Sequence, residues 1–201
     1  MTESSEPIIA GLLLAAGSSS RLGRPKQLVE FGGKTLIRRA AEALFDAGCS
    51  PVVVVLGTEI ELSKVELEGL NVEVAINEAW ETGMGSSIAV GMRSIRSPGL
   101  VPDAVLISLC DQPFVTSEKL LPFLDVFRES RPDLIAAFYN EVAGVPALFS
   151  AKLYPDLAEL EGEKGAREII RSFPNAMTIP LPEAATDIDT QPDLHRLELA
   201  D

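Results

Sequence analysis

The fold is decided by residues 8–26, which read IIAGLLLAAGSSSRLGRPK. The first half, from Ile8 to Leu14, is apolar or small at every position, which is typical of a parallel strand buried on both faces of a sheet. The second half is rich in glycine, serine and basic residues and predicts a loop. A buried strand followed by such a loop indicates an α/β protein whose ligands bind beyond the carboxyl ends of the strands.

Outside this segment, strand-like and helix-like stretches alternate along the chain. We expect further strands over residues 52–56, 72–76, 104–109, 134–139, 145–149 and 177–179, and helices over residues 36–47, 59–67, 85–95, 117–130, 150–160 and 165–172. This alternation predicts a three-layer α/β/α sandwich with a mostly parallel sheet. The strands at 134–139 and 145–149 are too close for a crossover helix, so we expect one of them to be antiparallel. We expect a single domain over residues 1–201, with residues 1–7 flexible.

The composition narrows the class of protein. The chain of 201 residues carries a net charge of −13, so nucleic acid is not an expected partner, because polyanions bind to basic surfaces. No apolar run approaches the ~20 residues of a membrane span, so we expect no membrane contact, and the acidic N-terminus does not resemble a secretion signal. Cys49 and Cys110 are too few for a disulfide framework, so we expect buried, reduced thiols in a cytoplasmic protein.

The loop after the first strand has the composition of a polyphosphate site. Small residues from Ala15 to Ser18 let backbone N–H groups approach phosphates closely, while Arg21 and Lys26 bring positive charge to the same loop. The spacing matches neither the Walker A motif nor the dinucleotide fingerprint. An ordinary β–α connection is the alternative interpretation.

Carboxylates occur at two places that suit a metal ion. Asp111 directly follows the apolar run 104–109, and Mg²⁺ prefers one or two carboxylates together with phosphate oxygens. Alternatively, Asp111 only begins a turn before Pro113. In an extended segment, Asp187 and Asp189 would lie on the same side, because they are two residues apart. Alternatively, Asp189 or the next residue could cap the last helix.

Residues 77–92 form a third candidate region. Glycines and serines open the helix predicted there, and its first N–H groups could face an anion. Asn77 and Ser87 are the best polar candidates, whereas Trp80 alone is more typical of a core residue. The lone histidine, His195, is expected on the surface, and no catalytic triad is available.

These motifs resemble one known superfamily. Leu-Ala-Ala-Gly-x-x-x-Arg-x-Gly-x-x-Lys at 14–26 is similar to the signature of the nucleotidyltransferases that modify the molybdenum cofactor or sugar phosphates. Asp-x-Pro at 111–113 and Asp-Ile-Asp-Thr at 187–190 resemble that superfamily's metal-binding stretches, and the block 77–92 resembles the cytidylyltransferases of the molybdenum cofactor. The segments 144–149 and 162–167 resemble two more motifs, but Val145 and Glu163 replace a frequent His and Asp. The resemblance covers residues 8–197.

The resemblance implies a Rossmann-like nucleotidyltransferase fold and a set of roles. Backbone and side chains of Leu14, Ala15, Ala16, Gly17 and Ser18, together with Asn77 and Ser87, would bind the nucleotide. Arg21 and Lys26 would stabilise charge at the α-phosphate, and Asp111 would hold Mg²⁺ with help from Asp189. Because both charges are placed on a flexible loop, we expect Lys26→Ala and Arg21→Ala to lower turnover far more than stability.

The implied reaction is the transfer of CMP from CTP to a phosphorylated pterin of the molybdopterin type, with release of pyrophosphate. Ala16 supports CTP, because a glycine at that position is typical of family members that use GTP. The recipient of the product would be a molybdoenzyme. Two alternatives stay open: the same chemistry on a sugar phosphate or methylerythritol phosphate, and a non-catalytic carrier of the finished molybdenum cofactor.

Overall fold

The structure is a computed structural model that describes residues 6–96 and 101–199. The expected flexibility of residues 1–7 falls mainly on residues 1–5, which lie outside the described residues. The strands are β1 (Ile9–Ala15), β2 (Glu30–Phe31), β3 (Lys34–Thr35), β4 (Val52–Leu56), β5 (Glu73–Ile76), β6 (Ala104–Leu109), β7 (Leu134–Tyr139), β8 (Val142–Ser150) and β9 (Met177–Pro180). The helices are α1 (Leu36–Asp46), α2 (Ile60–Glu66), α3 (Met84–Ile95), α4 (Ser117–Ser130), α5 (Tyr154–Ala158), α6 (Ala166–Ser172) and α7 (Gln191–Glu198).

The main sheet confirms the predicted α/β architecture. Its strand order is β5-β4-β1-β6-β8-β7-β9, and β5, β4, β1 and β6 run parallel. The predicted antiparallel strand is β8, which pairs in that sense with both β6 and β7. Asn140 and Glu141 form the tight turn between β7 and β8 with φ values of 48° and 61°, the left-handed conformation that a two-residue hairpin needs.

Two predictions about local structure were incomplete. The helix expected over 150–160 is a 3₁₀ turn, Ala151–Leu153, followed by the short helix α5, because β8 extends to Ser150. The small antiparallel pair of β2 and β3 was not predicted, since each strand has only two residues and carries no periodic pattern.

Helices cover both faces of the sheet. Ile9 and Leu13 of β1 face the core that α1 and α4 cover, while Leu12 and Leu14 face the core under α3, α5 and α6. Gly91 lets α3 lie close to β1, because a Cβ atom built there would be 2.3 Å from Leu12 Cδ1. This packing gives three layers, with β1 inside the parallel part of the sheet, between β4 and β6.

A third, smaller core fixes the C-terminal segment. Its buried members come from the loop after β1, from α1 and from residues 188–197; they are Leu22, Val29, Leu36, Ile188, Leu194 and Leu197. The N–H of Ile188 also donates to the carbonyl oxygen of Asp111 at 3.0 Å. The segment that precedes α7 therefore lies beside the carboxyl end of β6.

The described residues also bear on three simpler expectations. Cys49 and Cys110 are free and buried, as predicted, and His195 is exposed on α7. None of the helices in residues 6–96 and 101–199 is long and apolar enough to cross a bilayer.

Candidate active site

A cavity of about 290 Å³ opens at the carboxyl ends of β1 and β6. After β1 the chain builds β4 and then β5 on one side of β1, and it returns to build β6 on the other side. Open α/β sheets bind ligands where the strand order reverses in this way. The residues that line the cavity are Leu14, Ala15, Ala16, Gly17, Ser18, Lys26, Gln27, Trp80, Glu81, Gly83, Met84, Ser87, Leu109, Cys110 and Asp111.

The loop after β1 folds back on itself to bring Lys26 to the cavity. Ser19 adopts a left-handed conformation with φ 55°, and its carbonyl oxygen accepts hydrogen bonds from the N–H groups of Leu22 and Gly23. The Ser19 hydroxyl oxygen accepts a further bond from the N–H of Lys26 at 2.9 Å. Ser19 therefore shapes the backbone of the loop.

Lys26 is the charge centre of the site. Its ammonium donates to Asp111 Oδ2, and to Asp189 Oδ1 at 3.0 Å. Burial by itself would lower the pKa of Lys26, but attraction to Asp111 and hydrogen bonds to both carboxylates outweigh burial and raise it above its usual range. Lys26 is therefore a permanent cation inside a mostly buried site.

The carboxylates around Lys26 are close enough to influence one another. Burial, and then repulsion from Asp111 and Asp189, raises the pKa of the Asp187 carboxyl to about 6. Asp111 Oδ1 is buried and accepts no hydrogen bond from the described residues. The described residues contain no ready-made cluster of three metal-ligating side chains.

Arg21 occupies the outer rim of the site. Its guanidinium donates to Asp189 Oδ2 at 3.0 Å, and 72% of its side-chain surface is exposed, compared with 16% for Lys26. The expectation that both cations are exposed on this loop is thus right for Arg21 and wrong for Lys26. Leu22 and Val29, which lie on either side of Lys26 in the sequence, are buried in the third core, so the backbone between them is held close to the protein.

Another part of the cavity lining is mostly apolar and includes an aromatic side chain. Trp80, Met84 and Ser87 line it together with Ala16. Gly57 allows Trp80 to reach Ala16, since a Cβ atom at Gly57 would lie 2.6 Å from Trp80 and 2.7 Å from the carbonyl oxygen of Ala16. This wall has the flat, apolar character that suits a nucleobase.

Asn77 supports this wall but is not among the residues lining the cavity. It is 1% exposed, its Nδ2 donates to the hydroxyls of Ser86 and Ser87 at 2.8 and 2.9 Å, and its Oδ1 accepts from the N–H of Ala79 at 3.0 Å. These bonds use both hydrogens of the amide and engage its oxygen. In this structure Asn77 holds Ser87 in place.

The start of α3 is covered by the loop 161–165. The N–H of Gly85 donates to the carbonyl oxygen of Gly162 at 3.0 Å, and a Cβ atom at Gly83 would lie 2.3 Å from that same oxygen. At least one of the helix N–H groups expected to face an anion is therefore used inside the protein. The two glycine-rich motifs at 83–85 and 162–165 interlock, which their sequences did not reveal.

Sequence reasoning identified part of this site and missed part. Leu14, Ala15, Ala16, Gly17, Ser18, Lys26, Ser87 and Asp111 line the cavity, whereas Arg21 and Asp189 join it through ion pairs at its rim. The buried amide of Gln27 was missed; its signal was a polar residue directly after Lys26, at the start of a turn. Cys110 was treated only as a core thiol; burial raises its pKa to about 12, so it stays protonated.

Comparisons with known proteins agree with this geometry. The model of the MobA-like NTP transferase domain matches residues 11–177. The chain is 32% identical to a protein named nicotine blue oxidoreductase from Paenarthrobacter nicotinovorans, over 98% of this chain and 100% of that protein. It is 25% identical to a probable molybdenum cofactor guanylyltransferase from Rhodopirellula baltica, over 96% of this chain and 93% of that one.

A solved structure shows the same fold. The crystal structure of Rv0371c from Mycobacterium tuberculosis superposes with a TM-score of 0.78 at 26% identity, covering 94% of this chain and 97% of that one. The family match begins within β1, at Gly11, and includes the loop after β1 and Asp111, which line part of the cavity. The chain therefore belongs to the MobA-like NTP transferase domain family and is a nucleotidyltransferase.

Proposed function

We propose that this protein transfers CMP from CTP to the terminal phosphate of a molybdopterin-type acceptor and releases pyrophosphate. One observation carries the proposal: the Lys26 ammonium, held by Asp111 and Asp189, lies where the glycine- and serine-rich loop meets the end of β6. A fixed cation beside a loop of backbone amides suits transfer at a phosphorus atom, where positioning and charge stabilisation supply most of the catalysis.

The reaction needs no strong general base. An oxygen of the acceptor phosphate, already ionised at neutral pH, attacks the α-phosphorus; the new O–P bond forms as the bond to the β-phosphate oxygen breaks, and pyrophosphate leaves with that electron pair. Lys26 stabilises the charge that develops on the α-phosphate. Arg21, exposed at the outer rim, contacts the departing phosphates. The lone histidine is exposed and has no part in this scheme.

The site residues fit a divalent cation, which we propose to be Mg²⁺. Asp111 carries a buried carboxylate oxygen without a hydrogen-bond partner in the described residues, and Asp189 offers a second hard oxygen donor across Lys26. These two residues would hold the ion, which would neutralise charge on the phosphate oxygens when bound. Asp187 is close enough to Asp111 and Asp189 for their charges to raise its pKa, but it forms no ion pair with Lys26 among the described contacts.

The preference for CTP over GTP is the finer part of the proposal. Ala16 places a methyl group beside the aromatic wall formed by Trp80, where the guanosine-using members of the resembled family have a glycine. Ser87, fixed by Asn77, offers a hydroxyl to the base. The relative from Rhodopirellula baltica is named for guanylyl transfer, so GTP is the competing nucleotide.

The acceptor and the route of the product are also proposed. That relative is named for the molybdenum cofactor, which supports a pterin phosphate as acceptor and a molybdoenzyme as recipient. Sugar phosphates and methylerythritol phosphate would need the same attack on the α-phosphorus and are the alternative acceptors. A carrier of the finished cofactor would bind the product without turnover.

A pyrophosphate-release assay tests these points together. Each of the four nucleoside triphosphates is combined with molybdopterin, a sugar phosphate or methylerythritol phosphate, with and without Mg²⁺. We expect release with CTP and molybdopterin only when Mg²⁺ is present. Release with GTP at a similar kcat/KM would contradict the base preference, release with another acceptor would contradict the pterin, and tight product binding without any release would favour the carrier.

A further inference from the structure

Two polar residues outside the motifs, Gln27 and Thr58, form a hydrogen-bond relay to the loop after β1. Gln27 Nε2 donates to Thr58 Oγ1 at 3.1 Å, and the Thr58 hydroxyl donates to the carbonyl oxygen of Gly17 at 3.1 Å. Because the hydroxyl hydrogen is used on Gly17, the hydroxyl oxygen can only accept from Gln27. This order of donors fixes which end of the Gln27 amide faces Thr58.

The relay sets the direction of the peptide group between Gly17 and Ser18. This peptide bond is trans, so its C=O and the following N–H point in opposite directions. Thr58 lies just beyond β4, and β4 and β6 flank β1 on opposite sides. With the Gly17 carbonyl held towards β4, the Ser18 N–H is turned towards β6, the side on which Lys26 and Asp111 meet.

Gln27 is expected to lower the stability of the folded protein at this position. It is 1% exposed, yet its Oε1 accepts no hydrogen bond from the described residues. A buried acceptor without a partner destabilises a fold, and an apolar side chain of the same shape would avoid that penalty. Residues that oppose stability in this way are typical of functional sites.

We propose that Gln27 and Thr58 are positioning residues that hold the Ser18 N–H ready to donate to a phosphate oxygen of the nucleoside triphosphate. The proposal rests on the nucleotide substrate proposed above. An ionised phosphate only accepts hydrogen bonds. An N–H that already points towards the phosphate before binding therefore stabilises the bound phosphate more than an N–H that must reorient. Neither Gln27 nor Thr58 itself touches the reacting atoms in this scheme.

The test is a matched pair of variants at Thr58. Thr58→Val keeps the shape and removes the hydroxyl, whereas Thr58→Ser keeps the hydroxyl. The affinities for inorganic tripolyphosphate with Mg²⁺ and for cytidine, which has no phosphate, are measured by calorimetry. We expect Thr58→Val to weaken tripolyphosphate about 10-fold, as expected for one charged hydrogen bond, and Thr58→Ser to stay within about twofold of the wild type. Cytidine should bind all three proteins equally.

Three results would overturn the relay. They are unchanged tripolyphosphate affinity in Thr58→Val, an equal loss of both ligands in that variant, and no recovery in Thr58→Ser. A wild-type protein that binds no tripolyphosphate and releases no pyrophosphate from any nucleotide would instead contradict the proposed function. An active wild type with variants that do not respond contradicts the relay alone.

Gln27→Met tests the outer member of the relay independently. Methionine is similar in length and apolar, so it removes both the donor to Thr58 and the unpartnered oxygen. We expect tripolyphosphate to bind about threefold more weakly while the melting temperature is unchanged or higher. A lower melting temperature with unchanged tripolyphosphate affinity would show a purely structural role and refute the part assigned to Gln27.

Discussion

Replacing Lys26 by methionine should damage both activity and folding, whereas replacing Arg21 should damage activity alone. The side chains of Lys26 and Asp111 are 16% and 13% exposed, so Lys26→Met leaves a mostly buried carboxylate without its cation. Removing one member of a fully buried pair costs about 3–5 kcal/mol. Because this pair keeps some solvent contact, we expect about 2–3 kcal/mol, which is roughly 4–12 °C in melting temperature for a chain of this size.

Arg21 provides the matched control. Its side chain is 72% exposed, and exposed ion pairs contribute about 0–1 kcal/mol, so Arg21→Met should melt within a few degrees of the wild type. Both variants lose an oriented cation and should lose roughly 10²–10³ in rate. Melting is followed by circular dichroism, and turnover by pyrophosphate release.

A double variant separates the electrostatic cause from lost packing. Lys26→Met with Asp111→Asn removes both charges, so it should regain much of the stability lost in Lys26→Met while remaining inactive. If Lys26→Met melts like Arg21→Met, or if the double variant is no more stable than Lys26→Met, the buried-pair reasoning is wrong.

Four further results are expected. Asp111→Asn should fold and bind nucleotide in a Mg²⁺-insensitive way; an unchanged dependence of activity on Mg²⁺ would place the metal elsewhere. Trp80 is the only tryptophan, so CTP should change the intrinsic fluorescence while tripolyphosphate should not; equal responses would remove Trp80 from the base wall. Leu197→Ala should lower the free energy of unfolding by about 2–4 kcal/mol, and it should also lower kcat/KM because the third core positions Asp189. A normal kcat/KM would show that the third core does not position Asp189. Gly91→Ala should destabilise by about 1–3 kcal/mol in a melting experiment, because its Cβ would overlap Leu12; a normal melting temperature would show that α3 shifts freely.

The sequence by itself determined the layers of the fold. The central strands are apolar on both faces and the helices carry one apolar stripe, so their identity can be read from local periodicity without knowing any long-range contact. The loop from Ala15 to Lys26 and the position of Asp111 were equally readable, since both directly follow buried strands and the carboxyl ends of parallel strands share one edge.

Only the tertiary structure decided how these pieces meet. Asp189 reaches Lys26 across 163 positions of sequence because a small core that includes Leu22 and Leu197 packs the end of the chain against the loop. No local pattern encodes that contact, and alternation alone could not distinguish a metal ligand from a helix cap. The Gln27 relay was hidden for the same reason: whether a buried amide has a partner depends on atoms in the loops after β1 and β4, which only the folded sheet brings together.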